Sequence, residues 1–488
     1  MPLTSVKLTQ LQSQVLKKAY FTPLRGIPGP WFAKFTPLLL KKNTLLGHRM
    51  YYVHKLHEIY GPVVRIAPEE IDISDPAAAK EIHRINSGFL KSDFYSKFRK
   101  GDTRDVFSMT DPKDHADRRR MLAPLFSKSA LRNNWETSVV EKVAVAVDKM
   151  KLEAQTNGSV DIHKWWTFMT ADVISHLAFG ESFGMLLEEK KTEPMQKIED
   201  ATKFGLVSSE LLWLCKMLQS IPLKIVQNLT NADDMVQHYA EQTVRRIKQN
   251  PLGRTHVFSR LVAEWEKGGG LTEYDLAFEA SGFIVAGSGT TAVTLTYLVW
   301  DVLSRPKVQE QLEEELAGLA QCYSDADLDS LPYLSAVIEE TLRLHGAAPG
   351  ALPRRTPKGG ATLAGYYIPE DVTVCTQAYT LHRDSASYPE PGRYSFRPER
   401  FLSDTGGFKP PQGPWFPFGG GSRSCLGIHL ARMELRHGAA RFFRECRGAR
   451  LAPRTTSASM AMVNYFLISP ASEQCWVIPG AHSPTAFL

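Results

Sequence analysis

The chain has 488 residues, of which 43% are hydrophobic and 23% charged, proportions typical of a globular protein that buries a large core. Its 34 glycines and 30 prolines are close to average usage, which excludes collagenous and disordered chains. The formal net charge is +6, and no run of Lys or Arg indicates an arm that binds nucleic acid.

Residues 1–22 form a leader in front of the first predicted strand. Apolar residues in this leader recur at the spacing of one helix face, and neither a signal peptide nor a membrane span is indicated. Two interpretations stay open: a short helix docked on the protein, and a helix attached to a membrane surface. A Pro/Gly cluster at residues 24–31 then predicts a stiff hinge that is neither helix nor central strand.

The next segments change from strand to helix. β-Branched residues predict paired strands at residues 63–66 and 71–73. From about residue 111 to 307, apolar residues recur at three- and four-residue spacing, which indicates helices. Within that range, the uncharged residues 280–300 are long enough to span a membrane. Their glycine, serine and threonine content favours a helix buried in a large soluble core.

A further helix is predicted at residues 331–344, where Ser330 is a suitable cap and Pro332 suits the first turn. Residues 361–379 predict strands that flank a turn at residues 368–371. A Pro/Gly-rich irregular stretch follows and leads into the last helix.

A final long helix is predicted from about Leu426. Because most of the predicted elements are helices, the expected fold is mainly α with a small β region. No repeat or linker divides the chain, and residues 23–488 are interpreted as a single domain behind the leader. Six scattered cysteines form no CxxC pattern, which excludes a disulfide framework and a zinc site of that kind. All except Cys425 are interpreted as buried, reduced side chains.

The sharpest signal is residues 418–427, FGGGSRSCLG. Three consecutive glycines allow backbone conformations that other residues avoid. Cys425 lies near the predicted start of a helix, where the helix dipole and free N–H groups lower the pKa of a thiol, and Arg423 adds positive charge. A single thiolate with no second Cys or His at ligand spacing suits heme iron better than zinc.

Three other interpretations of this loop stay open. Cys425 and His429 lie four residues apart and would be a nucleophile and its base. The glycines would alternatively cradle a dinucleotide or phosphate, although no strand precedes them and no GK[ST] follows. The third interpretation is a purely structural turn with a buried cysteine.

The same string matches the heme-binding signature of the cytochrome P-450 monooxygenases, and the chain resembles that family from about Leu24 to its end. The resemblance implies a single-domain cytochrome P-450 fold, with the heme between a long central helix and the cysteine-loop helix. It implies heme b (iron protoporphyrin IX) as cofactor and Cys425 as its axial metal ligand. Glu340, Arg343 and Arg400 occupy the positions of an ion-paired triad that the family uses to lock the chain under the heme.

Residues 286–291, AGSGTT, resemble the oxygen-binding segment of the family. The resemblance implies that Ala286 and Gly289 lie beside the heme and that Thr290 bonds the bound dioxygen. Gly289 stands where the family often has Asp or Glu, so the usual proton relay lacks its acid. Gly and Thr are poor helix formers, so the cluster predicts a local distortion of the helix; tight packing through small residues is the alternative.

Contacts to the heme also follow from the resemblance. His115 and Arg119 stand where the family holds one propionate, and Arg354 stands where it holds the other. Phe418 and Arg423 in the cysteine loop are the remaining cofactor-binding residues. Arg118 and Arg120, the immediate neighbours of Arg119, are interpreted as part of a solvated helix face.

The implied function is a heme-thiolate monooxygenase that inserts one oxygen atom from O2 into an apolar small molecule, with desaturation or rearrangement left open. Phrases at residues 25–30 and 60–68 resemble fungal members that act on polyketide, terpenoid or alkaloid intermediates. The family's substrate segments correspond to residues 89–109, 183–229, 347–352 and 460–466 and to the start of the central helix; their apolar residues predict an apolar pocket. A non-catalytic heme protein for gas sensing or electron transfer is the alternative.

The implied electron donor is an NADPH-cytochrome reductase, a flavoprotein of the endoplasmic reticulum. Arg432 and Arg436 are candidate docking cations for it, or alternatively part of a solvated face. The expected location is the cytosolic face of the endoplasmic reticulum, with weak peripheral attachment, and the alternative is the cytoplasm. No nucleic acid partner is expected.

Overall fold

The structure, a computed structural model, describes residues 16–480 except 18, 99–104, 194, 197–244, 246–256, 267–271, 390 and 391. The predicted class, mainly α with small β sheets, is confirmed. The α-helices of the described residues are α1 Leu38–Leu45, α2 Arg49–Tyr60, α3 Pro76–His83, α4 Pro112–Leu122, α5 Lys128–Asn134, α6 Glu136–Asn157, α7 Ile162–Phe179, α8 Met185–Glu188, α9 Val257–Glu266, α10 Glu273–Leu303, α11 Pro306–Ala317, α12 Asp325–Asp329, α13 Pro332–His345, α14 Ala378–Leu381 and α15 Ile428–Glu445.

Short strands form four small sheets in the described part of the chain. The strands are β1 Val63–Ala67, β2 Glu70–Ile73, β3 Leu90–Lys91, β4 Val160–Asp161, β5 Arg354–Arg355, β6 Ala361–Leu363, β7 Tyr366–Ile368, β8 Thr373–Cys375, β9 Arg450–Leu451, β10 Met462–Tyr465, β11 Leu467–Pro470 and β12 Trp476–Ile478. The largest sheet has the order β1-β2-β8-β5-β3, in which only the β2–β8 pair is parallel. This sheet brings β3 and β5, far apart in sequence, side by side.

The predicted turn at residues 368–371 forms between β7 and β8, and a second, tight turn that we did not predict precedes it. The tight turn is Ala364–Gly365, where both residues have positive φ, 45° and 84°, as a two-residue hairpin turn requires. It joins β6 to β7. Residues 368–371, where we expected the turn, connect β7 to β8, and β8 pairs in another sheet. The sequence pattern located the strands but not their pairing.

Local signals locate the ends of several helices. Asp111 caps α4, because its carboxylate accepts the backbone N–H groups of Lys113 and Asp114. Thr272 and Asp275 form a reciprocal capping box at the start of α10. Pro332 occupies the first turn of α13 as predicted, but Ser330 does not cap it. The Ser330 hydroxyl donates to the carbonyl of Asp327 at the end of the preceding helix.

The core surrounds the long central helix α10. It packs against α7, α13 and α15, and at Gly287 an added Cβ would overlap the Ile174 side chain of α7. Within α10, Phe278–Leu303 is the described segment long and apolar enough to cross a membrane, and 67% of its most apolar window is buried in the protein. The expectation of a core helix is thus met by its packing.

Two expectations about the rest of the chain are wrong. The 24–31 segment is not a hinge: it overlaps short 3-10 turns at Pro23–Gly26 and Trp31–Lys34, and the Arg65 N–H donates to the Pro28 carbonyl at 2.7 Å. It is therefore fastened to the first strand. Cys322 is exposed, whereas Cys375, Cys446 and Cys475 are buried as predicted. Cys215 and leader residues 1–15 lie outside the described residues.

Candidate active site

The cysteine loop is a compact turn held by its own backbone. The Cys425 N–H donates to the Phe418 carbonyl at 2.8 Å. Gly419 and Gly421 have φ of 70° and 62°, which favour glycine. At Gly421 a side chain would also overlap the backbone carbonyl of His83. The glycines are thus needed both for the turn and for the close approach of α3.

The state of the Cys425 thiol differs from the expectation. Helix α15 begins at Ile428, three residues after the cysteine. Burial raises the pKa of the Cys425 thiol, while the Gly427 N–H and the Arg119 charge lower it. Its surface is nevertheless accessible, which fits a sulfur that faces an internal space. The predicted lowered pKa is therefore wrong for the protein alone, because burial outweighs the helix and the cation.

The 286–291 segment of α10 divides into a packed side and an open side. Gly287 is closed off by Ile174, whereas an added Cβ at Gly289 would meet no atom within 4 Å. Ala286 is exposed and Thr290 half-buried. The predicted distortion does not interrupt α10, which is one continuous helix, and the Thr290 hydroxyl donates to the Ala286 carbonyl at 2.7 Å within it.

Helix α15 carries the cysteine loop against α10. An added Cβ at Gly438 would lie 2.9 Å from the Leu295 side chain, so the two helices are in close contact there. Nearer the cysteine, the buried Glu434 carboxyl is hydrogen-bonded to Thr291, and burial raises its pKa to about 8. Its Oε1 has no partner. Sequence analysis missed Glu434, although a carboxylate four residues after the buried Leu430 on an apolar helix face was a visible signal.

A cluster of basic side chains adjoins the cysteine loop. His115 is buried, and burial with the charges of Arg423, Lys91, Arg119 and Arg354 lowers its pKa to about 3. Burial likewise lowers the pKa of Arg354, and that of Arg423 to about 10. Cations repel one another in a protein interior unless an anion joins them. The structure thus brings the predicted propionate contacts together.

Some of these cations already hold backbone groups. Arg119 donates to the Ser424 carbonyl at 2.8 Å, and Arg423 donates to the Met109 carbonyl at 2.8 Å. Lys91, which sequence analysis missed, lies on β3 beside Arg354 on β5. Its ammonium donates to the carbonyl of Phe107. No local pattern marks Lys91, because only the pairing of β3 with β5 brings it to the cluster.

The predicted triad forms between α13, which packs against both α10 and α15, and the chain near Arg400. Arg343 donates from Nε and Nη2 to the two Glu340 oxygens at 2.7 and 2.9 Å. Arg400 Nε donates to Glu340 Oε1 at 3.1 Å, and so does the Arg397 backbone N–H at 2.7 Å. Arg343 further donates to the His382 carbonyl at 2.9 Å. A buried carboxylate with this many donors is satisfied.

Arg118 and Arg436 differ from their expected surroundings, whereas Arg120 is solvated as expected. Arg118 is not solvated: it is buried and donates to Glu279 at 2.6 Å, whereas Arg120 is exposed and pairs with Asp117. Arg436, a candidate docking cation, is buried. It pairs with Asp325 at 2.6 Å.

Arg432, the second candidate docking cation, is not free for docking either. Arg432 is half-buried and pairs with Glu339, so it is engaged within the protein.

No hydrogen bond joins His429 to Cys425 in the described chain, which removes the support for a nucleophile and base. The loop follows irregular chain rather than a strand, unlike a dinucleotide-binding turn. Among the described residues, no three His, Cys, Asp or Glu side chains form a metal cluster.

These features fit a heme. An accessible cysteine sulfur, an open face at Gly289 and a cluster of buried cations suit a flat apolar ring that carries carboxylate groups. The cations supply the positive charge that two propionates would balance.

Comparison with known proteins agrees with this arrangement. The sequence profile described as Cytochrome P450 matches residues 27–460. Cytochrome P450 monooxygenase tazI of Aspergillus terreus is 40% identical over 94% of each chain. Cytochrome P450 monooxygenase stcB of Emericella nidulans is 39% identical over 95% of this chain and 90% of the relative. Methylphloroacetophenone oxidase of Cladonia uncialis is 33% identical over 78% and 86%. The chain therefore belongs to the cytochrome P450 family, heme-thiolate monooxygenases that use O2, a redox partner and a small-molecule substrate.

Proposed function

We propose that this cytochrome P450 oxidises an apolar aromatic molecule in a fungal secondary-metabolite pathway of the polyketide, terpenoid or alkaloid type. The relatives that match over most of the chain are fungal monooxygenases, and one is named for oxidation of methylphloroacetophenone, an aromatic ketone. The observation that carries the proposal is the accessible Cys425 sulfur in a loop that Arg119 of the cation cluster contacts. Hydroxylation is the expected outcome, with desaturation or rearrangement as variants of it.

The proposed cofactor is heme b, bound through the Cys425 thiolate. Bound heme supplies electron transfer and activation of O2. Arg354, Arg423 and His115 would hold its propionates, because they are buried cations or donors in one cluster. Arg119 would steady the loop, since it bonds the Ser424 carbonyl at 2.8 Å. The Phe418 carbonyl closes the loop by accepting the Cys425 N–H.

Proton handling would fall to Thr290. Its hydroxyl is half-buried and donates to the Ala286 carbonyl, and rotation about χ1 would free it to hold a proton or a water beside the heme. Gly289 leaves space there for water or for a polar group of the substrate. Without an acid at this position, delivery would depend on the molecule bound. Loss of the Thr290 hydroxyl would then divert electrons to hydrogen peroxide.

The proposed electron donor is an NADPH-cytochrome reductase. Arg436 is unsuited to docking, because it is buried in pairs with Asp325 and Asp329. Arg432 is likewise bound to Glu339. Reconstitution with a fungal reductase should therefore be unaffected by Arg436→Lys, provided the fold is kept.

Peripheral attachment to the cytosolic face of the endoplasmic reticulum is also proposed. Phe21 and Trp31 are 84% and 76% exposed, and Phe35 contacts both Tyr20 and Trp31 at ring-centroid distances of 5.7 and 6.4 Å. Exposed aromatic residues beside one another suit a lipid interface. Phe21→Ser with Trp31→Ser should weaken binding to phosphatidylcholine vesicles, and unchanged binding would contradict this attachment.

The test of the function uses purified protein with reductase and a panel of hydroxylated aromatic ketones. NADPH consumption should rise with at least one compound, and mass spectrometry should show a product 16 Da heavier, the mass of one oxygen atom. Thr290→Ala should keep NADPH consumption but replace product with hydrogen peroxide, whereas Thr294→Ala is the matched control one turn further along α10. A heme protein that binds carbon monoxide yet never responds to a substrate would favour gas sensing or electron transfer.

A further inference from the structure

The triad of Glu340, Arg343 and Arg400 does not itself reach the cysteine loop. In the described chain, its side chains bond to one another and to the backbone of residues 382–397. None of the hydrogen bonds that these side chains make there ends on residues 418–427. A triad that steadies Cys425 therefore needs a further residue that connects the two.

His382, the first residue after helix α14, contacts both the triad and the chain that leads into the cysteine loop. Its side chain is buried, and its Nδ1 lies 3.2 Å from the Arg343 carbonyl oxygen. Its Nε2 accepts the backbone N–H of Phe416 at 2.9 Å. Arg343 Nη1 also donates to the His382 carbonyl at 2.9 Å. His382 is thus bonded to the triad arginine through one ring nitrogen and to the chain before the cysteine loop through the other.

The use of both ring nitrogens fixes the form of the His382 ring. Burial lowers the pKa of His382 to about 3, so the ring is neutral at about pH 7. A neutral imidazole has one N–H donor and one acceptor nitrogen. Because a backbone N–H only donates, Nε2 is the acceptor, and the proton is on Nδ1, where the Arg343 carbonyl accepts it. Replacing either nitrogen by carbon would remove the partner of a backbone group.

Packing holds the His382 ring in the same place. The indole of Trp415 stacks on it, with ring centroids 5.0 Å apart and an angle of 21° between the planes. Trp415 also contacts Phe401 at a centroid distance of 5.7 Å, and Phe401 directly follows Arg400 of the triad. Aromatic stacking adds to the free energy of burial, so tilting the imidazole away from Phe416 would lose this contact as well as the hydrogen bond.

The bond to Phe416 is continued to Cys425 by the backbone of the loop. The Phe416 carbonyl accepts the Gly419 N–H at 3.1 Å, and the Phe418 carbonyl accepts the Cys425 N–H at 2.8 Å. These two bonds share the segment 416–419. The position of the Phe416 backbone therefore determines where the loop begins and where its cysteine is held.

We propose that His382 is a positioning residue that connects the triad to the cysteine loop and holds Cys425 in place as the heme ligand. The inference rests on the proposed function, since it concerns the thiolate that would bind heme. His382 acts through the Phe416 backbone, and in the described chain no hydrogen bond joins it to Cys425. Its essential feature is the acceptor nitrogen, because only an acceptor satisfies the Phe416 N–H.

The test compares His382→Gln with His382→Asn in the heme-loaded full chain. The glutamine carbonyl reaches the position of Nε2 and can accept the Phe416 N–H, whereas the shorter asparagine reaches only the position of Nδ1 and the Arg343 carbonyl. Each variant thus keeps one of the two bonds, and neither adds a charge. The readout is the rate at which the reduced carbon monoxide complex loses its red-shifted Soret band in dilute urea, since that band requires thiolate ligation. His382→Asn should lose the band roughly tenfold faster than the unmodified chain, the effect of one unpaired backbone donor, and His382→Gln should stay within about twofold.

Hydrogen exchange gives a second readout, which does not depend on the heme spectrum. Exchange of the peptide that contains Phe416, followed by mass spectrometry, should be faster in His382→Asn than in His382→Gln. His437→Gln is the matched control, because His437 is also a buried histidine stacked on an aromatic ring, that of Tyr323 at 6.0 Å. No hydrogen bond joins His437 to residues 415–427 in the part of the chain that the structure describes. This control should leave both readouts unchanged.

Equal effects of His382→Asn and His382→Gln on both readouts would overturn the positioning role, and so would a band that is as stable in His382→Asn as in the unmodified chain. If His382→Asn takes up no heme while His382→Gln does, the proposal is supported, because the two amides differ in reach and not in polarity. An unmodified chain without the red-shifted band would instead contradict the proposed function itself, so the two failures are distinguishable.

Discussion

The two sides of the proposed heme site are held by different kinds of contact. On the cysteine side, Glu340 receives four hydrogen bonds from Arg343, Arg400 and the Arg397 backbone. On the α10 side, contact is made by small residues, with Gly287 against Ile174. The cysteine side is thus specified by charge and hydrogen bonding, and the α10 side by shape. Substitutions on the cysteine side should therefore destabilise the fold by leaving a buried charge unpaired, and substitutions on the α10 side should destabilise it by steric overlap.

The largest expected effect is at Cys425, where substitution should remove thiolate ligation of the heme completely. Cys425→Ala should abolish the red-shifted Soret band of the reduced carbon monoxide complex, because that band requires thiolate ligation. Cys322→Ala is the control, since Cys322 is also accessible but lies far along the chain from the loop. A spectrum unchanged by Cys425→Ala would contradict the assignment of the ligand.

The contribution of charge on the cysteine side can be tested at Arg343. Arg343→Met should lower the free energy of unfolding by about 3–5 kcal/mol, because Glu340 would be left buried without its main partner. Urea unfolding followed by tryptophan fluorescence measures this change. Arg84→Met removes an arginine from a pair of the same i,i+3 geometry, but Arg84 and Glu81 are exposed, so no clear shift of the midpoint is expected. Equal shifts would show that burial does not distinguish the two pairs.

Glu434, at the contact of the two sides, makes stability depend on pH. Burial raises its pKa from 4.5 to about 8, so the folded chain keeps a proton that the unfolded chain releases. Stability from this group therefore falls as pH rises from about 4.5 to 8. At about 1.4 kcal/mol per pKa unit, the full effect is a few kcal/mol.

Glu434→Gln should remove that dependence. Relative to the unmodified chain, the variant should gain stability between pH 5 and pH 8, as measured by urea unfolding at each pH. Glu310→Gln, an exposed position of α11, provides the control. A constant difference between Glu434→Gln and the unmodified chain across this range would mean that Glu434 is ionised in the fold.

The contribution of shape on the α10 side can be tested at Gly287 and Gly289. Gly287→Ala should cost about 1–3 kcal/mol, because the methyl group overlaps Ile174. Gly289→Ala meets no atom within 4 Å and should be neutral or stabilise the helix by up to about 1 kcal/mol. Thermal unfolding of the two variants measures the difference. The same cost at both positions would contradict the division of α10 into packed and open sides.

Motifs read from the sequence were most informative where chemistry is local. The cysteine loop and the Glu340–Arg343 spacing are recognisable because a few adjacent residues determine each one. Pairing between distant segments was less accessible, as the pairing of β8 with β2 illustrates. Lys91 reaches the cation cluster only through the pairing of β3 with β5.

The sequence by itself determined the class of fold and the family, and it predicted Cys425 as the heme ligand, because glycine conformations and ligand chemistry depend on the residues alone. Only the tertiary structure decided which of two arginines on the same helix is buried. Arg118 and Arg120 share one helix and one local pattern, yet Arg118 faces Glu279 and Arg120 faces solvent. The partner lies 161 residues away on α10, and the placement of α4 relative to α10 determines which arginine meets it. Burial of a charge is a property of the assembled fold, so no local sequence pattern contains it.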